Sequence, residues 1–222
     1  MMTKVAMISG ASRGIGRAIA EELGRQGIAL SLAIRDSALA PGEGFAPAGM
    51  MSFAYQATDP GSERAWVEAT MAHFGRIDIL VNAAGILRNV SLADGTEEDL
   101  DAMLAVNLKA PFRLIQAALP HLRASGQGRV VNVASLSGKR VRNGNAGYQM
   151  SKFAMVALSH AVRSVALCPG YVATDMTVQA PVPQEEMTRP EDLARLVALI
   201  VQLPNTASIS ELAVNCAYEA MF

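Results

Sequence analysis

With 222 residues, 51% of them hydrophobic, and a formal net charge of -1, the chain suits one substantial α/β core and is short for two. The balanced charge offers no basic surface for a phosphate backbone, so nucleic acid is not an expected partner. After Met1-Met2-Thr3-Lys4 the chain enters an apolar segment ending at Gly10. That segment is too short to span a bilayer and lacks a signal-cleavage pattern, so no membrane association and a cytoplasmic location are expected.

In chain order, apolar runs predict strands at 5–9, 28–34, 51–55, 77–81, 130–134, 165–167 and 212–214. Helix-patterned stretches at 16–25, 62–74, 97–122, 148–163 and 190–203 fall between most of them. Near-continuous apolar strands alternating with helices indicate a parallel sheet covered on both faces. The expected architecture is α/β: a Rossmann-type, doubly wound parallel sheet in a single domain spanning residues 1–222. Gly27 suits a left-handed cap after the first helix, Thr96 and Asp99 have the spacing of a helix-start box, and Pro190 suits a first helical turn. The Pro- and Gly-rich stretch 41–49 is read as a surface connection.

Cys168 and Cys216 are far apart and lack metal-ligand spacing, so both are expected as buried free thiols. His73, His121 and His160 also lack partners at ligand spacing; no metal is expected. The twelve methionines are read mainly as core filling.

Ser9-Gly10-Ala11-Ser12-Arg13-Gly14-Ile15-Gly16 follows the first strand and opens the first helix. Glycines in that context permit a tight turn and close approach of a pyrophosphate to helix-terminal N–H groups. Gly10, Ser12, Arg13, Gly14, Ile15 and Gly16 are therefore candidate dinucleotide-binding residues. Further along, Tyr148 and Lys152 stand four apart in a predicted helix, on one face. A neighbouring ammonium favours ionisation of a phenol that otherwise titrates near pH ~10.

The glycine spacing G-x-x-x-G-x-G resembles that of the short-chain dehydrogenase/reductase family. Other motifs follow in family order: Asn82-Ala83-Ala84-Gly85, Val106-Asn107-Leu108, Ser135 thirteen residues before Tyr148, and Cys168-Pro169-Gly170-Tyr171-Val172-Ala173-Thr174. The resemblance implies hydride transfer between a nicotinamide dinucleotide and an alcohol/carbonyl pair; it leaves the direction open, and carbonyl reduction is the expectation that a preference for NADPH would favour. It implies that Tyr148 is the general acid in reduction and that Ser135 hydrogen-bonds the reacting oxygen. Lys152 would lower the tyrosine pKa and bind ribose hydroxyls, and the Asn107 carbonyl would connect Lys152 to solvent through a water. Asn82, Ala83 and Gly85 would line the cofactor. Pro169, Gly170, Val172 and Thr174 would pass over the nicotinamide, with the Thr174 hydroxyl on its carboxamide.

Cofactor choice turns on the end of the second strand, where an acid would accept from the ribose 2′-OH and arginines would pair with a 2′-phosphate. Ile34 stands at the position where NAD-specific relatives carry the acid, Arg35 follows, and Arg13 approaches from the glycine loop. NADP(H) is therefore favoured over NAD(H), while Asp36 leaves a ribose contact open. Gln56 replaces the family's acid at the adenine edge, beside Ala57, and Asp59 is expected to cap the next helix.

The family commonly pairs through its two long helices, so a homodimer or homotetramer is expected. The segment around 175–189 corresponds to the substrate lid and is short and apolar, suiting a small-molecule carbonyl or alcohol. The resemblance leaves two alternatives: a non-enzymatic dinucleotide-binding redox sensor or interaction module, and a lyase or epimerase retaining its cofactor.

One departure is geometric. Pro169 follows Lys152 by only seventeen positions, about nine fewer than in a typical member. A helix reaching residue 163 leaves too little chain to cross a layer of roughly 10 Å. Either the helix ends early and unwinds, or a stretch is left out of this sequence near Arg163-Ser164. The second is the expectation favoured here, and an intact mass equal to that of 222 residues would rule it out.

Overall fold

A computed structural model describes residues 3–34, 49–141, 144–162 and 164–217. Seven parallel strands form one sheet in the order β3-β2-β1-β4-β5-β6-β7. They are β1 (Val5–Ser9), β2 (Ala29–Ile34), β3 (Met50–Ala54), β4 (Ile79–Asn82), β5 (Arg129–Val133), β6 (Val165–Pro169) and β7 (Glu211–Val214). The order reverses between β1 and β4, which opens a crevice at the carboxyl ends of those strands.

Helices α1 (Gly14–Arg25) and α6 (Pro190–Gln202) cover one face. Ile19, Leu23, Leu193 and Val197 bury there against Ile8, Leu30 and Val131. The other face carries α2 (Ser62–Phe74), α3 (Glu97–Leu104), α4 (Ala110–Ala124) and α5 (Ala146–Ala161). Trp66, Leu114 and Ile115 pack there against Met7 and Leu80. Strands β1, β2 and β4 are buried along their whole length, as the unbroken apolar runs require of a sheet covered on both sides.

The local punctuation follows its chemistry. Gly27 is left-handed, at φ 77°, beyond the end of α1. The Thr96 hydroxyl accepts from the Asp99 N–H at 3.2 Å, and Pro190 occupies the first turn of α6. Asp59 does not cap α2: Gly61, at φ 110°, takes that position, and Asp59 contributes only its carbonyl, to the Ser62 N–H at 3.2 Å. The expected helix over 97–122 is continuous in direction but broken in hydrogen-bond period. A π turn, Ala105–Lys109, joins α3 to α4.

Between α5 and β6 the helix ends two residues earlier than expected, and whether a stretch is left out near Arg163-Ser164 stays with the intact-mass measurement. The helix stops at Ala161 and β6 begins at Val165. Ser164 folds back on the helix end, its N–H donating to the Ser159 carbonyl at 2.9 Å. Asn132 of β5 donates to both serine hydroxyls, at 2.9 Å to Ser159 and 3.0 Å to Ser164, so these buried polar groups satisfy one another. Arg163 lies outside the described residues, as does most of the 41–49 stretch.

Candidate active site

The carboxyl ends of β1, β4 and β6 bring three loops together. A Cβ added to Gly10, itself at φ 69°, would meet the Ala84 N at 2.7 Å, and one on Gly16 would meet the Gly10 carbonyl oxygen at 2.3 Å. Side chains are thus excluded where the β1 loop meets the 82–85 segment and where α1 turns back on it. On Gly14 the added atom would stand 3.3 Å from the Thr174 Cγ2, which places the 169–174 strap against the glycine loop. The result is a cradle of backbone at the N-terminus of α1, chemically suited to a pyrophosphate.

Ser9, which sequence reasoning missed, stitches two of these loops. Its hydroxyl accepts from the Ala83 and Ala84 N–H groups, both at 3.2 Å. The available signal is a hydroxyl closing an otherwise apolar strand. Arg13 extends from the loop to an exposed ion pair with Asp175 at 2.9 Å. Ser12 and Ile15 lie in the same turn, half-buried.

Facing the cradle are the four residues expected to do chemistry. Ser135 leaves β5, its hydroxyl accepting from the Ser137 N–H at 3.0 Å and standing near enough to the Tyr148 phenol to favour its ionised form. Asn145 caps α5, accepting from the Tyr148 N–H at 3.1 Å, which fixes the start of the helix that carries Tyr148 and Lys152. The Lys152 Nζ lies 5.7 Å from the centre of the Tyr148 ring and donates to the Val133 carbonyl at 2.9 Å. It also faces Gly85, 3.7 Å from where a Cβ would stand.

Asn107 sits in the π turn, fully buried. Its side chain accepts from the Ile86 N–H at 2.9 Å and donates to the Ile86 carbonyl at 2.9 Å and the Ser151 hydroxyl at 3.1 Å. It therefore ties the 82–86 loop to α5, and a π turn is a frequent device for presenting groups at functional positions.

Burial dominates the electrostatics. It pushes Tyr148 up to about 12, opposed by the hydrogen bond from Ser135. It brings Lys152 down to about 8, partly offset by Cys168. Tyr148 keeps some solvent exposure as a residue, yet its phenol is densely surrounded. Cys168 is a buried free thiol raised to about 11 by desolvation first and then by Glu211. Cys216 is buried as well.

The remaining expected residues divide. Pro169 ends β6, and the Gly170 N–H donates to the Val214 carbonyl at 2.8 Å, while Val172 is a buried residue of the strap. Asn82 turns into the sheet, donating to the Asn132 side-chain oxygen at 2.7 Å, so its amide braces β4 against β5. Gln56 and Ala57 follow β3 at the same carboxyl edge as the glycine loop, Gln56 exposed and Ala57 half-buried. Arg35 and Asp36 lie outside the described residues. Among the described residues no cluster of three His, Cys, Asp or Glu is placed to hold a metal.

Residues 4–185 match the short chain dehydrogenase family. The chain belongs to that family. Agropine synthesis reductase of Rhizobium rhizogenes is 37% identical over 233 residues, covering 97% of this short-chain dehydrogenase and 53% of the relative; the chain spans about half the length of that protein. A 3-oxoacyl-acyl-carrier-protein reductase of Staphylococcus aureus is 35% identical over 190 residues, covering 79% of this chain and 77% of the other. Among solved structures, an alcohol dehydrogenase of Thermococcus sibiricus complexed with 5-hydroxy-NADP superposes with a TM-score of 0.89, at 28% identity and 98% coverage of both chains. A 3-ketoacyl-acyl-carrier-protein reductase of Brucella melitensis complexed with NADH gives 0.86, at 26% identity and 97% coverage of both. The seven-stranded parallel sheet is the fold these short-chain dehydrogenases share with it.

Proposed function

We propose that this short-chain dehydrogenase reduces a small-molecule carbonyl to an alcohol with NADPH. The observation that carries the reading is the buried Lys152 ammonium 5.7 Å from the centre of the Tyr148 ring and beside Gly85, with Ser135 acting on the Tyr148 phenol, next to a glycine-lined cradle. A buried cation works against folding, and such perturbed groups cluster where chemistry needs them. A redox sensor would need the cradle without that arrangement.

The cradle formed by Gly10, Gly14 and Gly16 with Thr174 fits a dinucleotide, with Gln56 and Ala57 towards its adenine end and Gly85, Lys152 and Thr174 towards its nicotinamide end. A nicotinamide dinucleotide held there supplies the hydride. Ser135 then orients the substrate oxygen, and Tyr148 donates its proton to that oxygen as the carbon receives the hydride. A phenol held near 12 keeps its proton at neutral pH, which suits an acid. Lys152, charged below about 8, favours the phenolate left behind.

NADPH is favoured over NADH because Arg13 leaves the glycine loop with its guanidinium exposed and β2 ends on the apolar, buried Ile34. The lid, residues 175–189, exposes Met176 and Val178, which suits an apolar substrate. Phe112 of α4 and Met150 and Phe153 of α5 are exposed, matching a homodimer or homotetramer built through those helices. A cytoplasmic location completes the reading; no helix among the described residues is long and apolar enough to cross a membrane.

The test is NADPH consumption against a panel of carbonyl compounds, run beside Tyr148→Phe. Turnover that falls at least ~100-fold in the variant with dinucleotide binding retained supports the proposal. Near-normal turnover in Tyr148→Phe overturns it.

A further inference from the structure

Fifty residues apart in sequence, a buried Glu63 and a partly exposed Arg113 meet in an ion pair that the mechanism above does not use. The Glu63 side chain is 2% exposed. One of its oxygens accepts from Arg113 twice, from Nε at 3.0 Å and Nη2 at 2.7 Å. The same oxygen lies 3.4 Å from the Tyr55 hydroxyl that donates to it, and the other accepts from the Gly61 N–H at 3.3 Å. A buried carboxylate in this position is not needed to build a helix start, since an exposed acid interacts with the α2 dipole without being desolvated.

The Arg113 fork has a second target. Its Nη2 also donates to the Ala57 carbonyl at 2.9 Å. Ala57 lies in the turn that leaves β3 at the carboxyl edge of the sheet, pinned at one end by the Tyr55 N–H on the Ile34 carbonyl at 3.1 Å. From the next residue, the Gln56 N–H spans the turn to the Ser62 hydroxyl at its far end, at 3.3 Å. Arg113 therefore clamps the middle of that turn from α4, six residues beyond Asn107 on the helix that follows the π turn. Arginine suits the task because its rigid fork serves two acceptors at once.

We propose that Arg113 is a positioning residue for the adenine end of the dinucleotide, fixing the Gln56 and Ala57 backbone through the Ala57 carbonyl, with Glu63 holding the arginine in place. The inference rests on the dinucleotide reading above and assigns to α4 a part in cofactor affinity separate from the proton-transfer groups.

The test uses the full chain carrying both Glu63→Leu and Arg113→Met, which removes both charges and leaves neither buried alone. Folding is followed by the emission of Trp66, the sole tryptophan, whose ring centre lies 5.5 Å from that of Tyr55. Inhibition constants are measured for adenosine monophosphate and for nicotinamide mononucleotide, together with KM for NADPH and kcat. The expected result is a rise of about tenfold in KM and in the adenosine monophosphate constant, with kcat and the nicotinamide mononucleotide constant within about twofold. Equal weakening of both mononucleotides, or of neither, overturns the role of Arg113. If the double variant does not fold, Arg113→Lys keeps a charge for Glu63 without the fork and is expected to give a smaller split of the same sign; no split overturns the proposal. Failure of the unaltered protein to bind either mononucleotide would overturn the dinucleotide reading itself, and the role of Arg113 with it.

Discussion

Lys152 and Tyr148 share one face of α5, with the ammonium 5.7 Å from the centre of the phenol ring and anchored on the Val133 carbonyl at 2.9 Å. Burial moves the two groups in opposite directions, the lysine down to about 8 and the tyrosine up to about 12. Reduction requires the tyrosine protonated and the lysine charged. Tyr148 holds its proton throughout the neutral range, so Lys152 sets the alkaline limit. The rate of carbonyl reduction at saturating substrate is expected to fall as pH rises through about 8, roughly tenfold per unit beyond it. A rate constant to pH 10 would sink the assignment.

The same burial acts on folding. The pKa of Lys152 is lower in the folded chain than the value of 10.5 taken for an unperturbed lysine. Below about 8 the amine is charged in both states, and the full desolvation penalty opposes folding. Between about 8 and 10.5 the unfolded chain binds the extra proton, so stability from this group rises with pH. Tyr148 and Cys168 have the opposite sign: both are raised, and the stability they contribute is lost as the unfolded phenol and thiol ionise. Comparing the protein with Lys152→Met isolates the lysine. The variant is expected to be more stable at pH 7 by roughly 1–3 kcal/mol, an advantage that shrinks towards pH 10, while turnover is lost. Urea unfolding at several pH values measures it, and a pH-independent difference would contradict the account.

Asn107 supplies a third expectation. Its side chain satisfies both the N–H and the carbonyl of half-buried Ile86 and reaches the buried Ser151. Asn107→Ala leaves those backbone groups without partners and is expected to destabilise by about 2–4 kcal/mol, beyond any effect on turnover. Chemical denaturation decides it, since a residue serving catalysis alone would lower the rate and leave the midpoint in place.

Most of the fold was legible because each strand buried on both faces leaves an uninterrupted apolar run, and because Gly27, Thr96 and Pro190 each impose one local geometry. The glycine cradle and the Tyr148 and Lys152 face were legible for the same reason: spacing along one element fixes direction. The π turn was not, since one extra residue in a helical period changes no composition. The Glu63 and Arg113 pair was hidden by fifty intervening residues, and Ser9 by its place at the end of an apolar strand. Asp59 was misplaced because Gly61 can adopt a left-handed backbone that moves the cap two residues onward. The role expected of Lys152 on the phenol was only half visible in the spacing, because i,i+4 proximity says nothing of the burial that pushes Tyr148 upward.

Arg13 and Asp175 bear on cofactor choice. Their ion pair links the glycine loop to the segment that follows Thr174 at 2.9 Å, with 65% and 69% of the two side chains exposed. Water screens a pair so exposed, and its loss is expected to leave the thermal midpoint unchanged. The guanidinium is therefore available to a stronger anion, and a 2′-phosphate carries more charge and more acceptor oxygens than a carboxylate. Arg13→Ala is expected to weaken NADPH about tenfold while changing NADH by less than about twofold. Asp175→Asn, which removes the competing carboxylate, is expected to tighten NADPH by a few-fold with NADH again unmoved. Titration of both dinucleotides against the three proteins checks the pair. Equal loss of NADPH and NADH in Arg13→Ala would assign the arginine to the shared pyrophosphate and remove the basis for preferring NADP(H).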